Sequence, residues 1–256
     1  MNPQTIAKLL QGSGITMLET VTSTNDSLRA MANAGAPDGT TIVALQQTAG
    51  KGRMGRAFYS PGGGLYWSIL LRPAYTTEEC LGLTPMAAVA VRECLREVFG
   101  VSAGIKWVND LLLDGKKICG ILTESVADGI SRQPAFVIVG IGMNLAPPKE
   151  GLPKELQTIA GAVLSSAEQL TEQLYVDTAM VLRKRFLHYY QGLREKSYVP
   201  QYQAALCMLG QQVTVLEHGL ERLAMAVAVD DDLRLLVRYD DGAEQWRSSG
   251  EIRIRL

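Results

Sequence analysis

Short apolar runs alternate along the chain with polar, glycine-bearing breaks, and their spacing predicts most of the elements. ITMLETV (15–21), TTIVAL (40–45), GLYWSILLRP (64–73) and AFVIVGIGMNL (135–145) have the length and the branched or aromatic content of strands. Between the first two, STNDSLRAMANAG (23–35) reads as a helix, with Ser23 or Thr24 near its N-cap, Asp26 in the first turn and Gly35 past its end. A short helix is expected over the first eleven residues. Residues 77–99 are apolar nearly all round, as in a buried helix. In IKWVNDLLLDGKKICGILTESV (105–126), Asp114-Gly115 parts two apolar runs and predicts a tight hairpin. PPKEGLP (147–153) is a loop, and residues 168–209 are helical in pattern, broken at Gly192 and Pro200.

From Gly210 onward the pattern changes to short alternating strands: QVTVLE, RLAMAVAV, RLLVRY and EQWRS. His218-Gly219, Asp230 to Asp232 and Asp241-Gly242 are the turns between them. A tail of 47 residues buries too little surface to be stable alone, so it is expected to pack on the rest.

Composition narrows the function classes. An apolar fraction of 47% supports a sizeable core, and a formal net charge of −1 argues against a general binder of nucleic acid or anionic membrane. Any positive potential must be local. The four cysteines (Cys80, Cys94, Cys119, Cys207) form no CxxC pair, which favours reduced buried thiols over a disulfide framework or zinc site. The N-terminal residues lack the apolar core of a signal peptide, and no run approaches the roughly 18 apolar residues of a membrane span. A cytoplasmic location is expected.

Candidate chemistry concentrates in QTAGKGRMGR (47–56), where glycines permit close backbone approach and Lys51, Arg53 and Arg56 attract an anion. It is not a P-loop, because Leu45 stands where the first glycine is needed and Gly52 where Ser or Thr is needed. VGIGMN (139–144) likewise lacks the third glycine of a dinucleotide fingerprint. Alone, the loop reads equally well as a solvated surface turn. IKWVND and DGKKICGILTE add Lys106, Lys116, Lys117 and the acids Asp110 and Glu124; a cation within so apolar a run is costly unless something negative meets it. His188 and His218 fall in a helical stretch and a turn, and read as structural.

Taken in order, STN (23–25), QTAGKGRMGR, KWVND (106–110), GKKICGILTE (115–124) and VGIGMN resemble the signature blocks of biotin–protein ligases. The resemblance spans roughly residues 15–256, including SGEIRIR in the β-rich tail. It implies an α+β fold: a central mixed sheet flanked by helices, the class II synthetase-like biotin/lipoate ligase domain, over residues 1–208, with a small C-terminal SH3-like barrel over 209–256. It further implies synthesis of biotinyl-5′-AMP from biotin and ATP with Mg²⁺, then transfer of biotin to a lysine of a biotin carboxyl carrier domain. By resemblance, Ser23, Thr24, Asn25, Gln47, Lys51, Gly52, Arg53, Lys117 and Gly120 line the biotin site. Arg53, Arg56, Asn109, Lys117, Asn144 and Arg255 match nucleotide contacts. Arg53, Lys117 and Asp110 match groups at the reacting centre, where Asp110 orients the incoming amine. No protein metal ligand is implied. Lys51 stands where the family usually has arginine, Val108 where proline is common and Phe58 where tryptophan is frequent.

Three rival functions fit parts of the sequence. A lipoate–protein ligase shares fold and chemistry, but GKGRMGR and the β-rich tail favour biotin. A DNA-binding repressor needs a domain of roughly 60 residues ahead of ITMLETV, where only 14 stand, so no nucleic-acid or membrane partner is expected. Homodimer formation is left open. A non-enzymatic binding module is the remaining alternative.

Overall fold

The apolar runs pair into two sheets in the computed structural model of the chain, which describes residues 1–217, 220–248 and 251–254. The expected turn at His218-Gly219 and the candidate Arg255 lie outside the described residues.

The larger sheet is built from β1 (Ile15–Val21), β2 (Thr41–Gln47), β3 (Gly64–Leu71), β4 (Gly104–Lys106), β5 (Asp110–Leu113), β6 (Lys116–Ala127) and β7 (Pro134–Asn144). Their spatial order is β1-β2-β3-β7-β6-β5-β4. Only β1 and β2 pair in parallel, and the helix α2 (Thr24–Asn33) makes that crossover. The other neighbours are antiparallel. At the β5–β6 turn Asp114 has φ 50° and Gly115 φ 77°, the two positive values that a two-residue hairpin of the twisted kind requires.

Both faces of this sheet are covered, which explains why its strands read as continuous apolar runs. Val43, Ile69, Val137 and Val139 face one core, shared with α3 (Leu83–Phe99) and α4 (Glu172–Gln191). Ile42, Leu70, Phe136 and Ile138 face the other, shared with Leu28 and Ala32 of α2. The alternation follows from the two-residue period of a strand. On α4 the buried positions Tyr175, Val176, Ala179, Leu182 and Phe186 form a single helical stripe, and the Thr171 hydroxyl accepts the Leu174 N–H at its start. Helix α1 (Pro3–Leu9) precedes β1 and buries Ile6.

Pro200 does not break a helix as its position suggested. It lies in the first turn of α5 (Val199–Ala204), where its missing N–H costs no hydrogen bond. The smaller sheet has the order β11-β10-β9-β8-β12, from β8 (Gln212–Glu217), β9 (Leu220–Val229), β10 (Leu235–Tyr239), β11 (Glu244–Arg247) and β12 (Glu251–Ile254), all antiparallel. It docks through its β9–β10 turn: Trp107 Nε1 donates to the Leu233 carbonyl at 2.8 Å, and Lys196 pairs with Asp232. Among the described residues no helix is long and apolar enough to cross a membrane.

Candidate active site

The α2-facing side of the large sheet changes character along its length. Phe136, Ile138 and Leu70 give way, two residues further along each strand, to Gly140, Gly142 and Ser68. The register sets Gly142 opposite Gly120 on β6 and Tyr66 on β3, while Gly140 lies opposite Leu122 and Ser68. Three same-face glycines on adjacent strands leave a trough where side chains would otherwise stand. GIG in VGIGMN is therefore a strand motif with period two, which accounts for its failure as a dinucleotide fingerprint.

The N-terminus of α2 closes one end of the trough. Ser23, Thr24 and Asn25 are each at most 4% exposed. Ser23 occupies the N-cap position but makes no capping bond with its own helix, so its hydroxyl lines the cleft. Gln47 at the end of β2 takes over part of the capping: its Oε1 accepts from Thr24 N at 2.8 Å, and its Nε2 donates to Ser60 Oγ at 2.9 Å. Ser68 Oγ lies 2.7 Å from Thr24 Oγ1 and 2.8 Å from Asn25 Oδ1. These buried polar groups are tied to one another, as their desolvation requires.

The glycine-rich stretch forms the cover. Phe58 N donates to Gly50 O at 2.8 Å and Gly52 N to Arg56 O at 2.7 Å, closing residues 50–58 into a hairpin-like strap. Lys51 forms an ion pair with Asp26 in the first turn of α2. Arg53 Nη1 donates to Asn109 Oδ1 at 3.1 Å, joining the strap to the KWVND segment. Asn109 is in turn held on β6, its Nδ2 donating to the Ile121 carbonyl at 3.1 Å. The Phe58 ring lies over Gly120 and Gly142: a Cβ on Gly142 would come 2.6 Å from that ring. With the ring so placed, the cleft holds only about 50 Å³ of free space.

At the other end of the trough cations gather. Lys117 Nζ lies 2.7 Å from Asp110 Oδ1, and Lys106 Nζ is 3.9 Å from Asp110 Oδ2. The Asp110 side chain is 16% exposed, so both pairs sit partly out of water and are stronger than surface pairs. The Lys117 backbone is fixed by Ile159 O and Gly161 N, at 2.8 and 2.9 Å. Beyond it opens a second cleft of about 520 Å³, within the small-molecule range, between the strap and residues 144–161. Its wall includes Leu152, Leu156 and Ile159, with Arg56, Lys106 and Asn144 as polar groups.

The structure thus brings together Ser23, Thr24, Asn25, Gln47, Lys51, Gly52, Arg53, Asn109, Lys117 and Gly120 around one cleft, and Arg56, Asp110, Lys117 and Asn144 around its neighbour. Tyr66, Gly140 and Gly142 were missed as pocket residues, and so was Ser68 behind them, although the i, i+2 placement of the glycines marks a common face. Among the described residues no group of three or more His, Cys, Asp and Glu side chains comes together to hold a metal. Burial pushes the Cys80 thiol up to about 11 and Cys94 up to about 12, and raises Cys119 further, so none is a ready nucleophile at neutral pH.

Comparison with known proteins extends these observations. Residues 17–144 match the biotin/lipoate A/B protein ligase family, and residues 208–255 match the biotin protein ligase C-terminal domain. The chain is 37% identical over 183 residues to the bifunctional ligase/repressor BirA of Bacillus subtilis, covering 70% of this chain and 56% of that protein's length. It is 39% identical over 132 residues to the biotin–(acetyl-CoA-carboxylase) ligase of Paracoccus denitrificans, covering 51% of this chain and 54% of the relative. The biotin protein ligase of Aquifex aeolicus in complex with biotin and ATP superposes with a TM-score of 0.75 at 26% identity, over 94% of this chain and 98% of that one.

Proposed function

The chain belongs to the biotin/lipoate A/B protein ligase family, and on that footing we propose that it activates biotin as biotinyl-5′-AMP and transfers it to a lysine of a biotin carboxyl carrier domain. The observation that carries the choice of biotin is the polarity of the trough. One end is a buried wall of hydrogen-bonding groups, Ser23, Thr24 and Asn25, with Lys51 held beside it by Asp26; the other presents Arg53 and Lys117. A carboxylic acid with a polar, uncharged head suits both ends. The dithiolane head of lipoate offers that wall neither a strong donor nor a strong acceptor, so it would cover polar groups without bonding them, which a buried polar site discriminates against. The second cleft beside Lys117 has the room and the polar groups to take ATP, with Mg²⁺ arriving as part of the nucleotide complex.

The chemistry follows from placement. A biotin carboxylate oxygen attacks the α-phosphorus, a P–O bond forms, and diphosphate leaves. Two anions must approach, so the fixed cations Lys117 and Arg53 lower the barrier by neutralising charge as it develops. In the second step the amine of the carrier lysine attacks the acyl carbon, the amide forms and AMP departs. Asp110, beside Lys117, orients that amine. The mixed anhydride must be kept from water, and the strap over the trough supports that task. Because the Phe58 ring occupies the space above Gly120 and Gly142, admission of biotin requires this ring to move, which makes the strap a lid. In this reading residues 1–208 carry the chemistry, and the smaller sheet meets the KWVND segment through its β9–β10 turn.

The test is mass spectrometry of a competent carrier domain incubated with the protein, ATP and either biotin or lipoate. The expected result is a biotinyl adduct alone. A lipoyl adduct, or none with either acid, overturns the proposal.

A further inference from the structure

Asn25 and Arg29, one helical turn apart on α2, reach the same carboxylate on β6. Asn25 Nδ2 donates to Glu124 Oε2 at 2.7 Å, and Arg29 Nη2 donates to Glu124 Oε1 at 2.8 Å. The Glu124 side chain is 23% exposed and does not line the cleft, whereas Asn25 does. An ionised carboxylate can only accept, so it dictates which end of the amide faces it. The NH₂ group of Asn25 turns to Glu124, and its carbonyl oxygen turns inward to Ser68 Oγ. Gly140 gives that oxygen its room, since a Cβ there would lie 2.2 Å away.

The rest of the wall inherits this orientation. Ser68 Oγ also touches Thr24 Oγ1, which reaches Gln47 Oε1 at 3.1 Å. Asn25 Nδ2 also reaches the Leu122 carbonyl, but at 3.4 Å that bond is long and weak, so a neutral, non-accepting neighbour in place of Glu124 would let the Asn25 amide turn over and exchange donor for acceptor across this chain of contacts. Glu124 lies four residues along β6 from Gly120, roughly 13 Å at the rise of an extended strand, at the end of the trough away from Lys117 and Asp110.

We propose that Glu124 is a positioning residue for the head of the acid substrate: through Asn25 it fixes the donor–acceptor sense of the polar wall, and Arg29 occupies its second oxygen. The proposal rests on the acid-activating function above.

Its test is biotin-dependent diphosphate exchange, with the KM for biotin, the KM for ATP and kcat measured separately. Glu124→Ala is expected to raise the KM for biotin about tenfold, ~1.4 kcal/mol, leaving kcat and the KM for ATP within about twofold. The double variant Asn25→Ala/Glu124→Ala is expected to be no worse than Asn25→Ala alone, because one residue acts through the other. Glu124→Gln, whose amide oxygen still accepts from Asn25, should keep the KM for biotin within about threefold. If the alanine variant does not fold, Glu124→Leu keeps the volume, removes both acceptors and should show the same tenfold rise. An unchanged KM for biotin in the Ala or Leu variant, additive losses in the double variant, or a Gln variant as impaired as the Ala variant overturns the inference. A wild-type protein without biotin-dependent exchange overturns the proposed function itself, and this inference with it.

Discussion

Gly140 gives a direct measure of how tightly the polar wall is built. A methyl group there would lie 2.2 Å from Asn25 Oδ1, 2.9 Å from its Cγ and 3.0 Å from its Nδ2. β7 is hydrogen-bonded on both sides, to β3 and β6, and cannot retreat, so Asn25 must leave its place. Its departure breaks a hydrogen bond to a charged acceptor, about 1.5–3 kcal/mol, and crowding a packed site adds about 1–3 kcal/mol. Replacing glycine within a strand offsets about 0.5–1 kcal/mol of this. Gly140→Ala should therefore lose about 2–5 kcal/mol, a fall in Tm of roughly 5–15 °C for a chain of this size. Gly142→Ala, two residues away on the same face, first meets the Phe58 ring, the end of a side chain on the strap that can swing aside. It should cost about 1 kcal/mol or less, and no more than about 4 °C. Thermal and urea denaturation of both variants decide the matter. Wild-type stability in Gly140→Ala, or a Gly142→Ala protein destabilised as much, refutes the account of the trough.

Arg53→Ala should leave Tm within about 2 °C, because the side chain bridges two surface segments, yet slow adenylate formation by on the order of 10²; single-turnover kinetics at the wild-type rate would contradict its role in the lid. Lys117→Ala should abolish biotin-dependent diphosphate exchange, and exchange at the wild-type rate would remove Lys117 from the reacting centre. Stability should decline as pH rises from about 9 towards 12. The folded chain holds the Cys80 and Cys94 protons up to about 11 and about 12, whereas the unfolded chain releases them near 9.0, so the folded state binds more protons throughout that window. A Tm that stays flat between pH 8 and 11 would refute this, as would labelling of Cys94 within minutes in the native protein at pH 8.

The strands, the crossover helix and the Asp114-Gly115 hairpin were legible because local periodicity and turn chemistry determine them. Pro200 was misplaced as a breaker because proline is equally at home in a first helical turn, and only the path of the chain before it distinguishes the two. The candidate site was legible as five blocks but not as a geometry, because register is non-local. Nothing near GIG says that Gly142 faces Gly120 and the Phe58 ring and Gly140 the Asn25 amide, and nothing near GKGRMGR says that Lys51 finds its counter-charge in Asp26, 25 residues earlier. Glu124 shows the same limit most clearly. It stands in the sequence as an acid in an apolar run with no visible reason to be there, and the amide it orients is 99 residues away. An ionisable group in an apolar strand is costly wherever the fold does not supply a partner, so its presence is itself a signal that a distant element arrives there. Read that way, the acids Asp110 and Glu124 mark the two ends of the trough: one meets the cations of the proposed reacting centre, the other the N-terminal turn of α2 at the proposed site of the acid's head.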